Sequence, residues 1–218
     1  GNEIWTLTLE NVNMSGNIVL NDKKTIILIK DDVTINGDIV KNDSNPTLNL
    51  EIKGDGVLNV NGISGGNNYD ILIISSGITV NVTGNIFMGA SGGKDGTVIV
   101  DGTGTILNIN NFGALGIGSD TIKILNGAHA EIHSDDRGIM ALSGGVSVEN
   151  GSTLETNCEY GVYILDGRLY VDDTSILITD GSRAPFAIVD LSGTKVESDV
   201  VRLLGMPTNT KINSVTGD

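Results

Sequence analysis

The chain has 218 residues, with 27 Asp+Glu against 13 Lys+Arg and a formal net charge of −14. That field repels nucleic acid and anionic membrane surfaces, so neither is expected as a partner, and no apolar run is long enough to cross a bilayer. Cys158 is the only cysteine, which excludes an internal disulfide.

Glycine is abundant, at 30 residues, while aromatics make up only 4%. Short β-branched runs separated by Gly, Asn or Asp read as an all-β chain. In chain order the runs form copies of one unit. Looser copies come first: "TIILIKDDVTINGDIVKNDSNP" from 25, "TLNLEIKGDGVLNVNGISGGNNYD" from 47 and "ILIISSGITVNVTGNIFMGASGGKDG" from 71. Tighter copies follow at 97–120, 121–144, 145–167 and 168–193, which makes seven copies of 22–26 residues. Each reads strand, turn, strand, turn, short strand, turn.

Three alternating strands per copy predict a single-stranded parallel β-helix of about seven full coils, in which each coil buries its apolar face on the next. Right-handed coiling is expected, because parallel crossovers favour that hand. The predicted inward set is Ile122, Ile124, Ala130, Ile132, Ile139 and Ala141 in one copy, and Val146, Val148, Leu154, Thr156, Val162 and Ile164 in the next. Leucine-rich repeats would need a fixed Leu framework, and a propeller blade about 40 residues. The expected organisation is an N-terminal partial coil or cap over 1–24, the β-helix over 25–193, and a C-terminal coil, cap or linker over 194–218. Trp5 is expected to pack at the N-terminal end.

One polar column closes the second strand of each copy: Asn36, Asn61, Thr83, Asn110, His133, Asn157 and Thr179. It is expected to point inward as a structural amide ladder bonded to the turn backbone, with His133 as a substitute member. As a general base His133 would need a partner, and none is visible in the sequence. Pairs such as "DG" at 101–102 and "NG" at 126–127 mark a first turn that needs positive φ.

After that column comes the second turn: "NFG" at 111–113, "SDDRG" at 134–138, "CEYG" at 158–161 and "DGSRAP" at 180–185. Stacking of adjacent coils about 4.8 Å apart gathers Asp135, Asp136, Arg137, Glu159, Tyr160, Asp180 and Arg183 on one ridge, with Phe112 at its edge. This is the densest group of functional side-chain types in the chain. It reads as a solvated loop ridge, as a glycan site in which Tyr160 stacks on a sugar, or as a calcium site built from Asp135, Asp136 and Glu159. Two histidines and a remote cysteine do not make a zinc site. "GASGGKDG" at 89–96 lacks P-loop spacing, Cys158 reads as a small semi-buried residue, and "NVTG" at 81–84 fits a glycosylation sequon.

The units "DDRGI" at 135–139, "EYGVYI" at 159–164 and "TIKILNG" with "AEIH" at 121–133 resemble the pectate-lyase-like right-handed β-helix proteins. Among them the chain is most similar to secreted bacterial carbohydrate-binding β-helix proteins. The Arg in "DDRGI" departs from their Asp-Gly-Ile turn. The resemblance spans about 25–193 and implies an extracellular or cell-surface, non-catalytic solenoid that binds a polysaccharide or a host or plant glycan, with calcium as the only cofactor under consideration. Enzymes of that superfamily imply the alternative of a polysaccharide lyase or glycoside hydrolase, for which Arg137 and Arg183 with Asp135, Asp136 and Asp180 supply loose ingredients. A polyuronate groove would need more cations than this chain offers. A purely structural stalk is the third reading. No signal peptide is visible, and "GNE" reads as the start of a mature domain.

Overall fold

The computed structural model describes residues 4–21, 24–42, 47–66, 69–89, 95–165, 167–172, 174–188 and 211–212, with side chains described through residue 179. The fold is an all-β parallel solenoid of about seven turns, with about 23 residues per turn and no helix among the described residues. The first rung is β1 (Trp5–Glu10), β2 (Asn13–Ser15) and β3 (Ile18–Leu20). Then come β4 (Lys24–Lys30) and β5 (Asp32–Lys41), β6 (Asn49–Gly54) and β7 (Val57–Ser64), and β8 (Ile71–Ser75), β9 (Thr79–Val82) and β10 (Ile86–Phe87). The next are β11 (Thr97–Asp101), β12 (Ile106–Asn111), β13 (Leu115–Leu125), β14 (His129–Ser134), β15 (Arg137–Glu149) and β16 (Thr153–Ile164). The last are β17 (Leu169–Val171), β18 (Ile176–Ile188) and β19 (Lys211–Ile212).

Every pairing is parallel, between a strand and its counterpart one coil away, so three faces emerge. On the first face Ile73, Ile99, Lys123, Ser147 and Tyr170 stand in one column. On the second face Asn59, Asn81, Asn108, Glu131 and Glu155 do so. On the third the column is Phe87, Gly118, Met140 and Tyr163. The longer strands bend round a corner without breaking, at irregularities between Ile35 and Asp38, Ser119 and Thr121, and Cys158 and Tyr160. The stack begins at β1, whose six residues pair with β4, so residues 5–20 already carry the repeat.

Strand side chains alternate between faces, and the β-branched residues fill the inside. All twelve inward positions expected in the copies from 121 and 145 are buried. Burying each large aliphatic contributes roughly 1.5–3 kcal/mol, and because each rung covers only its neighbours, the core is a column rather than a ball. At the β1 end no further rung among the described residues covers it: Trp5 and Leu7, which stand over Thr25 and Ile27, are exposed.

The same alternation overturns the expected inward ladder. Asn36, Asn61, Thr83, Asn110 and Asn157 are exposed, and His133 is half-exposed. Ile132 and Thr156 are inward, so the residues that follow them, His133 and Asn157, must point out unless the strand bulges there. Thr179 is not in that column at all. It pairs with Thr156, is buried, and accepts the Thr156 hydroxyl at 2.9 Å inside the core, while Asp180 stands opposite Asn157.

A true amide ladder lies two residues earlier, on the outer side of the second face. Asn81 Nδ2 donates to Asn59 Oδ1 at 2.9 Å and Asn108 Nδ2 to Asn81 Oδ1 at 2.9 Å. A second ladder runs up the first turn, where Asn126 Nδ2 donates to Asp101 Oδ1 at 2.7 Å and Asn150 Nδ2 to Asn126 Oδ1 at 3.0 Å. Asn126 and Asn150 sit there at φ 57°. Asn tolerates this left-handed conformation, and the positive φ expected of the first turn is present.

Candidate functional site

The second turn is built by side chain-to-backbone bonds. Asn111 Nδ2 donates to the Leu115 carbonyl at 2.7 Å, and Asn111 Oδ1 accepts from the Gly113 N–H at 2.9 Å. This is the turn-bonding amide that the sequence had suggested one residue earlier. It closes the turn and leaves Phe112 84% exposed. The next coil hangs its own turn on that one: Asp135 N–H donates to Gly113 O at 3.1 Å and Arg137 N–H to Ala114 O at 3.0 Å. Tyr160 N–H donates in turn to Asp136 O at 2.6 Å. Successive ridge residues are therefore held one rung apart by backbone alone.

Arg137 stands between Leu115 and Tyr160 in the ladder. Its guanidinium carbon lies 5.0 Å from the centroid of the Tyr163 ring, within cation–π range. Tyr163 and Tyr160 meet edge-on, with centroids 6.2 Å apart and planes at 75°. Arg137 Nη1 is 3.4 Å from Asp136 Oδ2, and Arg137 Nε is enclosed without a hydrogen-bond partner. Leu115 and Phe87 pack into the space that a side chain at Gly118 would occupy. The outer side of the third face therefore carries an apolar and aromatic strip running into this cluster.

The sequence-based ridge is thus realised in part. Asp136, Arg137 and Tyr160 come together. Asp135 is exposed beside them, and Glu159 is half-buried. Asp180 and Arg183 lie in β18, but their side chains fall outside the described residues. Asp135, Asp136 and Glu159 do not form the expected calcium cage: among the described residues no three His, Cys, Asp or Glu are grouped so as to hold a metal ion. Tyr163, which sequence reasoning passed over, completes the cluster. Its signal was present in "EYGVYI", since Val162 is inward and its neighbour must face out.

Two titratable groups nearby complete the electrostatics. Burial pushes the Cys158 thiol up to about 11, against weaker opposing hydrogen bonds from Ser134, Gly138 and Thr156. Its Sγ donates to the Tyr160 carbonyl at 3.3 Å. A neutral, enclosed thiol is not a nucleophile. On the second face His133 Nε2 is 2.8 Å from Glu131 Oε1, and Glu131 stands opposite Glu155. The partner that the sequence could not show for His133 is therefore Glu131, two residues away on the same strand. Comparison with family models, with characterised proteins and with solved structures finds no match to this chain.

Proposed function

We propose that this chain is a non-catalytic carbohydrate-binding solenoid that acts outside the cell or at its surface, and that its glycan contacts centre on Asp136, Arg137, Tyr160 and Tyr163. The observation that carries the reading is the paired tyrosines, partly exposed on an outer face, with a guanidinium over one ring and a carboxylate beside it. Tyr rings offer a flat apolar surface to the C–H face of a sugar and a hydroxyl to its edge. Arg137 and Asp136 supply a fork of donors and a pair of acceptors for sugar hydroxyls. The ring positions are set by rigid strands, which lowers the ordering cost of binding. The acidic chain favours neutral or locally complementary glycans over nucleic acid.

The test is a titration against plant, microbial and mucin polysaccharides with and without EDTA, paired with an assay for chain cleavage. The expected result is saturable binding to at least one polymer, weakened on the order of tenfold by Tyr160→Ala, a loss near 1.4 kcal/mol. Polymer cleavage that disappears in Arg137→Ala would replace this reading with the lyase or hydrolase. No binding to any polymer would leave a structural stalk.

A further inference from the structure

The first face carries a notch remote from the tyrosine cluster. Two adjacent columns cross it. One is Thr121, Gly145 and the Arg168 position; the other is Lys123, Ser147 and Tyr170. In both, the middle rung is smaller than the rungs on either side, which are polar. The result is a depression of about 260 Å³ lined by Thr121, Lys123, Ser147, Glu149, Arg168 and Tyr170.

Its floor is enforced by the backbone. Gly145 has φ +86°, and a Cβ there would collide with the Arg168 main chain. The same approach lets the Val146 N–H donate to Arg168 O at 2.8 Å. A larger residue therefore cannot fill the gap without separating two coils.

The chemistry of the walls is unlike that of the chain as a whole. Only 13 Lys+Arg accompany 27 Asp+Glu, yet two of the cations, Lys123 and Arg168, face this notch. Both are exposed, and among the described residues neither is in a salt bridge. Tyr170 is 40% exposed at one wall. On the floor, Ser147 Oγ is enclosed and has no hydrogen-bond partner among the described residues.

We propose that this notch binds a single sugar ring bearing an anionic group, with the ring against Tyr170 and the anion between Lys123 and Arg168. The inference rests on the carbohydrate-binding reading above and adds to it a second subsite with a charge preference. Lys123 and Tyr170 are two rungs, about 9.6 Å, apart along the column. The volume falls below the roughly 300–1,000 Å³ of a drug-sized pocket, which suits one ring rather than an oligosaccharide. Glu149 and Thr121 then serve sugar hydroxyls, and the Glu149 charge keeps the anion on the side of the two cations.

The experiment follows backbone amide NMR shifts of the whole chain on titration with a sulfated glucose, glucuronate and plain glucose. The expected result is that an anionic ring shifts the amides of Gly145, Ser147 and Tyr170 and binds on the order of tenfold more tightly than glucose; whichever anion does so names the source. Lys123→Ala with Arg168→Ala should erase that preference and its salt dependence, while Tyr170→Phe should keep it. Equal affinity for all three rings would overturn the notch as an anionic-sugar site. Shifts confined to the Tyr160 and Tyr163 cluster would also overturn it but leave the carbohydrate reading standing. No shifts with any sugar or polymer would overturn both.

Discussion

The Lys41 ammonium lies 3.2 and 3.1 Å from the two carboxylate oxygens of Asp70, with side-chain exposures of 1% and 0%. Asp70 Oδ1 also accepts the Leu48 N–H at 2.6 Å. The pair ties the end of β5 to the residue that precedes β8, so it joins coils through the third corner. Gly65 leaves the room that the carboxylate occupies.

Removing either partner should therefore be costly. Lys41→Met or Asp70→Asn is expected to destabilise the chain by about 3–5 kcal/mol, because a buried charge is left uncompensated. The double variant Lys41→Met with Asp70→Asn, which keeps an acceptor for the Leu48 N–H, should recover much of that loss. A double-mutant cycle by urea unfolding measures the coupling, and additive losses would contradict it.

The outer ladder yields a contrast between two asparagines. Asn81 both donates to Asn59 and accepts from Asn108, so Asn81→Ala should cost about 1–2 kcal/mol. Asn157 is exposed, so Asn157→Ala should change stability by less than about 0.5 kcal/mol. Equilibrium unfolding of the two variants side by side checks the ordering.

Cys158 is predicted to be slow toward thiol reagents. With its thiol pushed up to about 11 by burial, almost no thiolate is present at pH 8. Reaction with a disulfide reagent should accelerate sharply once urea unfolds the chain. Fast labelling of the folded protein would show that the corner around Ser134 and Tyr160 opens readily.

Asp172 supplies a pH dependence. Partial desolvation pushes its carboxyl up, but hydrogen bonds from the Asn150 N–H, Ser175 and Thr174 together outweigh it, and the group is held down to about 2 from an ordinary 3.8. A carboxylate with a lowered folded value stabilises the fold above its unfolded value. That contribution is lost as pH falls from near 3.8 through about 2. Carboxyl NMR titration should place Asp172 near the lower figure, and Asp172→Asn should flatten the stability profile in that window.

How much of this was legible in the chain depends on the distance over which each feature is specified. The coil, its length and the inward set were written in the sequence. Ile122, Ile132 and Ile139 each sit in a β-branched, alternating run, and period-two alternation is a property of each strand by itself. The positive-φ residues of the first turn were legible for the same local reason. Even the outward placement of His133 and Asn157 was implied by the inward placement of Ile132 and Thr156.

What only the tertiary structure decided lies at the corners and between columns. The phase of alternation after a corner depends on how many residues the bend absorbs, as at Cys158 and Tyr160, where the register shifts. Thr179 inside and Asp180 opposite Asn157 were set instead by the coil-to-coil pairing of the straight run before that bend. The tertiary structure also decided that Asp135, Asp136 and Glu159 form no metal-holding group and that the Tyr163 ring lies beneath Arg137. The notch between Lys123 and Tyr170 needs three coils in register, with Gly145 and Ser147 between them. Such a relation joins residues far apart in the chain through hydrogen bonds that no local pattern specifies, so it exists only once the rungs are stacked.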